Sequence, residues 1–217
     1  MSLLAADILD AVARELHDSR ANSSVERTWG DAELLAFLNN AIRQIAVVRP
    51  DMTSKIATVR LAPGALQRLP EDGLRLLTII RNRGRDGTAD GKAITLSERA
   101  LLDATSPYWT SVRSTIVANY VYDIRFGSMY YVYPGASDTL PVWVEIVYSA
   151  APRIAAMTDT LPVPDICAVP LKHWVKFECL APERFDDASP AEAKGYYERF
   201  YNELGLKTTT DGALPVN

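Results

Sequence analysis

The sequence predicts an α+β fold: a four-helix bundle formed by both chain ends, with an antiparallel β subdomain inserted between them. Apolar residues recur at helical spacing before Pro50 and again after Pro162-Val163-Pro164, whereas between these points the period falls to two and β-branched and aromatic residues accumulate. The expected organisation is N-terminal helices over 1–51, the β insert with a short helix over 52–162, C-terminal helices over 163–206 and a flexible tail over 207–217.

In the first helix, expected over 2–17, Leu4, Ile8, Val12 and Leu16 lie four apart, with Asp7, Asp10, Arg14 and Glu15 elsewhere. The polar run 18–24 then reads as a loop. The second helix, 29–50, opens on Thr28-Trp29-Gly30-Asp31, where a threonine cap and a carboxylate reaching back form a capping box. Leu34, Leu35, Leu38, Ala41, Ile42, Ile45 and Val48 follow at helical spacing, and Pro50 disfavours helical geometry at Arg49. Strands are expected over 54–61, 74–83, 115–125, 128–133 and 142–149. Turn chemistry at Ala62-Pro63-Gly64 and Pro70-Glu71-Asp72-Gly73 separates the first of them, and a hairpin is expected at Phe126-Gly127. A meander is the economical topology, interrupted by a short surface helix over 95–103. Asp165 is a plausible cap for the third helix, which carries Leu171, Trp174, Val175 and Cys179 on one face, with Pro170 and Pro182 kinking or bounding it. Ser189-Pro190-Ala191-Glu192 boxes the last helix, which carries Tyr196, Tyr197, Phe200, Tyr201 and Leu204 before Gly205 stops it.

Composition narrows the function. The 217 residues are 48% hydrophobic and 23% charged, and no apolar run approaches the ~20 residues of a membrane span. No basic segment precedes an apolar one at the N-terminus, so neither a membrane partner nor a secretion signal is expected. A net charge of −4 lacks the basic footprint of a nucleic-acid reader. The charge is uneven, however: Arg75, Arg81, Arg83, Arg85, Lys92 and Arg99 outnumber Asp86, Asp90 and Glu98 between residues 75 and 99.

Catalytic and metal-binding spacing is absent. His173 and Cys179 are six apart, which on a helix points them to opposite faces, so neither a nucleophilic pair nor a shared metal site follows. Cys167 and Cys179 lie about 18 Å apart on or near one helix, beyond disulfide reach, and are expected as reduced core thiols. The stretch Gly84-Arg85-Asp86-Gly87-Thr88-Ala89-Asp90-Gly91 invites a calcium-loop or phosphate-loop reading. It lacks alternating carboxylates, a closing glutamate and a following Lys-Ser/Thr, so it reads as a flexible hairpin tip. Asp186 with Asp187, and Glu71 with Asp72, are adjacent in loop-like contexts and read as solvated charges. Asn22-Ser23-Ser24 fits a glycosylation acceptor and is read as chance without a signal peptide. Tyr120, Tyr122, Tyr130, Tyr131, Tyr133 and Tyr148 could make a stacking platform for single-stranded nucleic acid. Without interleaved Arg and Lys they read instead as cross-strand core pairs. No catalytic residue, metal site or cofactor is expected.

Several segments are familiar in order. Trp29-Gly30-Asp31-Ala32-Glu33-Leu34-Leu35-Ala36-Phe37-Leu38-Asn39-Asn40-Ala41 runs on to Val48-Arg49-Pro50-Asp51. Tyr130-Tyr131-Val132-Tyr133-Pro134 and Val144-Glu145-Ile146-Val147-Tyr148-Ser149-Ala150-Ala151-Pro152 follow, then Val163-Pro164-Asp165-Ile166 and an aromatic last helix ending Tyr201-Asn202-Glu203-Leu204-Gly205. Together they resemble the head-to-tail adaptors of tailed bacteriophages, the group that includes tail tubular protein A of short-tailed phages. The resemblance implies a non-enzymatic virion protein of the neck or tail, made in the host cytoplasm. It implies a homo-oligomeric ring, a 12-mer, between the portal protein and a tail or nozzle protein, extending a channel through which double-stranded DNA passes non-specifically. Candidate interface residues are Arg81, Arg83 and Arg85, set against an acidic partner or neighbour, and Lys207, Thr208, Thr209 and Thr210, which could order on docking. The alternatives are a neck or tail-completion protein that forms no ring, and a small hydrolase using Cys179 or Asp103.

Overall fold

The computed structural model describes residues 3–16, 28–181 and 190–206. The helices are α1 (Ala5–Glu15), α2 (Asp31–Val48), α3 (Arg99–Thr105), α4 (Ala168–Cys179) and α5 (Pro190–Glu203). The strands are β1 (Ser54–Arg60), β2 (Gly64–Arg68), β3 (Gly73–Asn82), β4 (Thr95–Leu96), β5 (Arg113–Ser114), β6 (Asn119–Val121), β7 (Met129–Ala136) and β8 (Trp143–Ala150). They fall into two compact units, Met1–Arg49 with Pro152–Asn217, and Pro50–Ala151. Four of the described helices lie in the first unit, and all the described strands lie in the second together with α3, an α+β protein.

In the helical unit, α4 packs against α1, α2 and α5. Its Leu171, Trp174, Val175 and Cys179 are buried as the apolar spacing requires. Pro170 does not kink it: the proline sits in the first turn, where its missing N–H would have no intrahelical acceptor. Pro182 lies outside the described residues. Lys176 is also buried, and the Glu15 carboxylate at the end of α1 accepts from its ammonium, which holds the Glu15 carboxyl below its ordinary value. Helix α2 buries Leu34, Phe37, Leu38, Ala41, Ile42, Ile45 and Ala46. Its cap is Gly30, in extended geometry, and not the threonine expected there. Pro50 ends it as expected, Arg49 leaving helical geometry at φ −133° and ψ 69°.

The segment after Ala151, expected within the β insert, belongs to the helical unit. Its carbonyls supply what a helix N-terminus lacks: the Ala5 and Ala6 N–H groups donate to Asp159 and Met157 oxygens at 2.9 Å. The Asn39 amide on α2 accepts from Ile154 N–H at 2.9 Å and donates to the Ile154 carbonyl at 3.0 Å. Burying Ile154 and Leu161 on the helices outweighs the extended period that marks them as strand-like in sequence.

The β unit holds two sheets, ordered β1-β8-β3 and β2-β7-β6-β4, with β5 also paired to β7. This is not the meander expected. Strand β8, last in sequence, lies central in its sheet because Val144, Ile146 and Tyr148 alternate cleanly into the core. Pairing is not uniformly antiparallel either: β4 with β6 and β5 with β7 run parallel. The expected strand 115–125 is reduced to Asn119–Val121, and the expected helix over 95–103 begins instead with the two strand residues of β4. Strand β2 is missed in sequence because Gly64, at φ +106°, reads as turn. The buried Gln67 side chain closes that turn, its amide bonding Ala62 N–H and the Ala62 and Gly64 carbonyls at 2.8–2.9 Å. Register shifts in β3 bring Leu76, Ile79 and Asn82 to the core three residues apart, a spacing that a regular strand does not give. Leu76, Ile79, Val117, Tyr120, Tyr130, Val132, Val144, Ile146 and Tyr148 form the common core.

Candidate functional site

The basic stretch singled out in sequence is satisfied within the chain. Strand β3 places Arg81 opposite its cross-strand partner Glu145 of β8, and Arg83 follows directly after the strand's end. Arg81 pairs with Asp90 at 2.9 Å and with Glu145 at 3.3 Å. Arg83 also pairs with Asp90, and donates to the Gly87 and Thr88 carbonyls at 3.4 and 3.1 Å. Two arginines and two carboxylates therefore offset one another across three segments, and Arg85 is the exposed residue of the three named.

The same network folds the glycine-rich loop back on its sheet. Gly87 adopts φ +82°, and a Cβ built there would lie 3.2 Å from the Trp143 ring and 3.3 Å from Thr58. Asp86 accepts from Thr88 N–H at 3.0 Å, which lowers its carboxyl. Instead of a flexible tip, the loop is a closed flap whose carboxylates are occupied by arginine and backbone, and it offers no ion-binding ring. Among the described residues no group of three or more His, Cys, Asp or Glu could hold a metal. No described helix is long and apolar enough to cross a membrane.

The residues tested for catalysis remain apart in their settings. Cys167 and Cys179 are both buried, and no disulfide joins them. His173 stacks on Tyr196 at 5.8 Å between ring centroids, with Nδ1 buried and unpartnered. Burial, then the nearby Lys176 and Arg199 charges, lowers its pKa. Asp103 belongs to the other unit, where it accepts from Trp109 Nε1 at 2.8 Å and Arg99 at 3.3 Å. Glu71 and Asp72 do not act as a pair: Asp72 takes Lys55 at 2.7 Å and the Tyr148 hydroxyl at 3.0 Å, which lowers its carboxyl. Lys207, Thr208, Thr209 and Thr210, with His17, Asn22, Asp186 and Asp187, lie outside the described residues.

The tyrosines serve packing. Tyr120, Tyr130 and Tyr148 are buried in the common core, while Tyr131 and Tyr133 meet the Trp109 ring edge-on at 5.6 and 6.5 Å. Their faces are covered, so they make no stacking platform. Tyr122 donates its hydroxyl to the Gly127 carbonyl at 3.0 Å, bracing the β6–β7 turn. Sequence reasoning places a hairpin at that turn but misses how firmly it is held; the Asp-x-Arg spacing of Asp123 and Arg125 is the available signal.

The polar side chains singled out above thus brace loops and strand ends within the chain, at Gln67, Arg81, Arg83, Asp72 and Tyr122. The chain belongs to the SU10 adaptor protein family, a phage adaptor family, which it matches over residues 4–217. Among curated proteins none matches it. A structural adaptor of the phage virion, interacting with other phage proteins, is what that membership implies.

Proposed function

We propose that this protein is a head-to-tail adaptor that forms a closed ring, of twelve subunits, between the portal protein and a tail or nozzle protein and extends the DNA channel, in the manner of tail tubular protein A. The observation that carries the reading is the family match over nearly the whole chain. In this reading the four helices drawn from both chain ends act as a bundle, with the β unit as its insert. Ring closure needs side surfaces that join neighbours head to tail, and two ends that meet different partners. A net charge of −4 suits a lumen along which DNA phosphates slide without being gripped. Purified protein mixed with the portal protein of its own phage tests the reading by negative-stain microscopy and native mass measurement. Rings capping the portal are expected; a monomer indifferent to portal and tail proteins alike would refute it.

A further inference from the structure

An open sheet ends in two edges, and a bulge or a short strand keeps an edge from pairing with another chain. Most edges of the β unit are guarded in this way. Strand β3 shifts register along β8 and meets Ala93 through an isolated bridge at Arg81. Strand β2 is bulged between Gly64 and Leu66, and β4 is two residues long. Strand β1 has neither guard: every residue of Ser54–Arg60 pairs with β8 in one unbroken register, and no described strand lies on its other side.

The direction of its backbone groups follows from one bond. Leu61 N–H donates to the Val142 carbonyl at 2.9 Å, the next pair in the same register. Antiparallel strands alternate bonded and non-bonded pairs, so Val59, Ala57 and Lys55 aim their N–H and C=O groups at β8, while Arg60, Thr58 and Ile56 aim theirs away. Those outward groups meet no partner among the described residues. Beside them the Ile56 side chain is 68% exposed. The charges on β1 are Arg60 and Lys55, the latter held to Asp72 at 2.7 Å. A second β1 laid along the first therefore gathers four cations, whereas a strand carrying a carboxylate fits.

The chain itself carries such a strand. Beyond Gly205, which turns the backbone off α5 at φ +77°, stands Lys207-Thr208-Thr209-Thr210-Asp211, β-branched at its three central residues and without glycine or proline. Laid antiparallel on β1, it has a register that satisfies both sides. Thr208 and Thr210 fall opposite Thr58 and Ile56 and exchange N–H and C=O bonds with the outward groups, while Asp211 falls opposite Lys55 and Lys207 opposite Val59. A parallel alignment sets Lys207 against Lys55 instead. We infer that residues 207–211 of one copy add to β1 of the next copy as an edge strand. Given by one copy and taken by another, the pairing joins two unlike surfaces, the heterologous contact that a closed ring repeats, and in this it rests on the ring proposed above.

Rings assembled on the portal protein of the same phage carry the test. Ala57→Cys and Thr209→Cys occupy a non-bonded pair of this register, about 4.5 Å apart at Cα and within disulfide reach. The native Cys167 and Cys179 are buried. Rings mixed from the two single variants and oxidised with diamide should give a covalent two-chain product on non-reducing gels. Lys55→Cys mixed with Asp211→Cys repeats the test if Ala57→Cys melts early. Thr208→Pro/Thr210→Pro removes two donors and should raise the protein concentration needed for rings about tenfold or more; Thr209→Pro, whose N–H points away from β1, should raise it less than about threefold. Rings that form without the mixed product overturn the inference and leave the adaptor reading intact. A two-chain product from Ala57→Cys alone also overturns it, assigning β1 to a second β1. So does a cross-link confined within single chains carrying both substitutions, which assigns β1 to its own chain. If no rings form, the adaptor reading fails and this contact falls with it.

Discussion

Replacing Asn39 by alanine tests how the chain returns from the β unit to the helices. The side-chain amide bonds Ile154 in both directions, at 2.9 and 3.0 Å, and donates to the Leu35 carbonyl at 2.9 Å. It acts as a one-residue ladder, giving a non-helical backbone segment the partners a neighbouring strand would supply. At about 1 kcal/mol for each bond, with some rehydration of the partly buried Ile154 groups, Asn39→Ala should cost about 2–3 kcal/mol. For a chain of this size that is a fall of about 5–10 °C in the melting temperature. Differential scanning calorimetry or circular dichroism reads it directly. Asn39→Asp is the sharper variant: one oxygen still accepts from Ile154 N–H, but the other faces the Leu35 and Ile154 carbonyls with no proton to give. At pH 7 it should be less stable than the alanine variant. Because those carbonyls raise the introduced carboxyl's pKa, it should recover as acid protonates it. Asn40→Ala, which loses a single 3.3 Å bond to Glu178, should cost under about 1 kcal/mol. A loss below about 0.5 kcal/mol at Asn39, or an aspartate variant more stable than alanine at neutral pH, would refute the account.

Other positions give shorter tests. Gly87→Ala forces an L residue to φ +82° and drives its methyl against Trp143; a loss of about 1–3 kcal/mol is expected by chemical denaturation. Arg83→Ala removes the bonds that close the flap over 84–91, so trypsin should cut after Arg85 several-fold faster than in the parent, and equal cleavage rates would count against the closed flap. His173 titrates below its ordinary 6.5 when folded, so the unfolded chain binds the extra proton first. Its contribution is therefore full above pH 6.5 and is lost as pH falls through the folded value, and His173→Gln should flatten that part of the stability profile measured by urea melts from pH 7.5 to 5.

How much of this was legible in sequence follows the range of the interactions. Helical spacing reports a local face, so Ile8 and Val12, the α2 residues Leu34, Leu38, Ala41, Ile42 and Ile45 and the buried side of α4 stand where periodicity puts them, whereas Leu4 is exposed, Leu35 and Val48 are only half-buried, and Phe37 and Ala46 take core places the spacing did not assign. Strand order is not local. Nothing in the spacing of residues 142–149 tells that β8 separates β1 from β3, and a bulged strand such as β3 hides its core residues from a period of two. The start of α2 differs by a residue or two: Gly30 takes the extended cap geometry at φ −74° and ψ 157°, with the helix starting at Asp31.

Charge shows the same limit of a local window. A window over residues 75–99 counts six basic against three acidic residues and sees a surplus to be offered to a partner. The carboxylate that matters most lies outside the window: Glu145 is brought beside Arg81 by the β3–β8 register. With Asp90 returned by the loop, Glu145 offsets Arg81 and Arg83, while Arg85 stays exposed. Sequence windows therefore overstate a charge surplus wherever a long-range register supplies the counter-ion, as Glu145 does for Arg81.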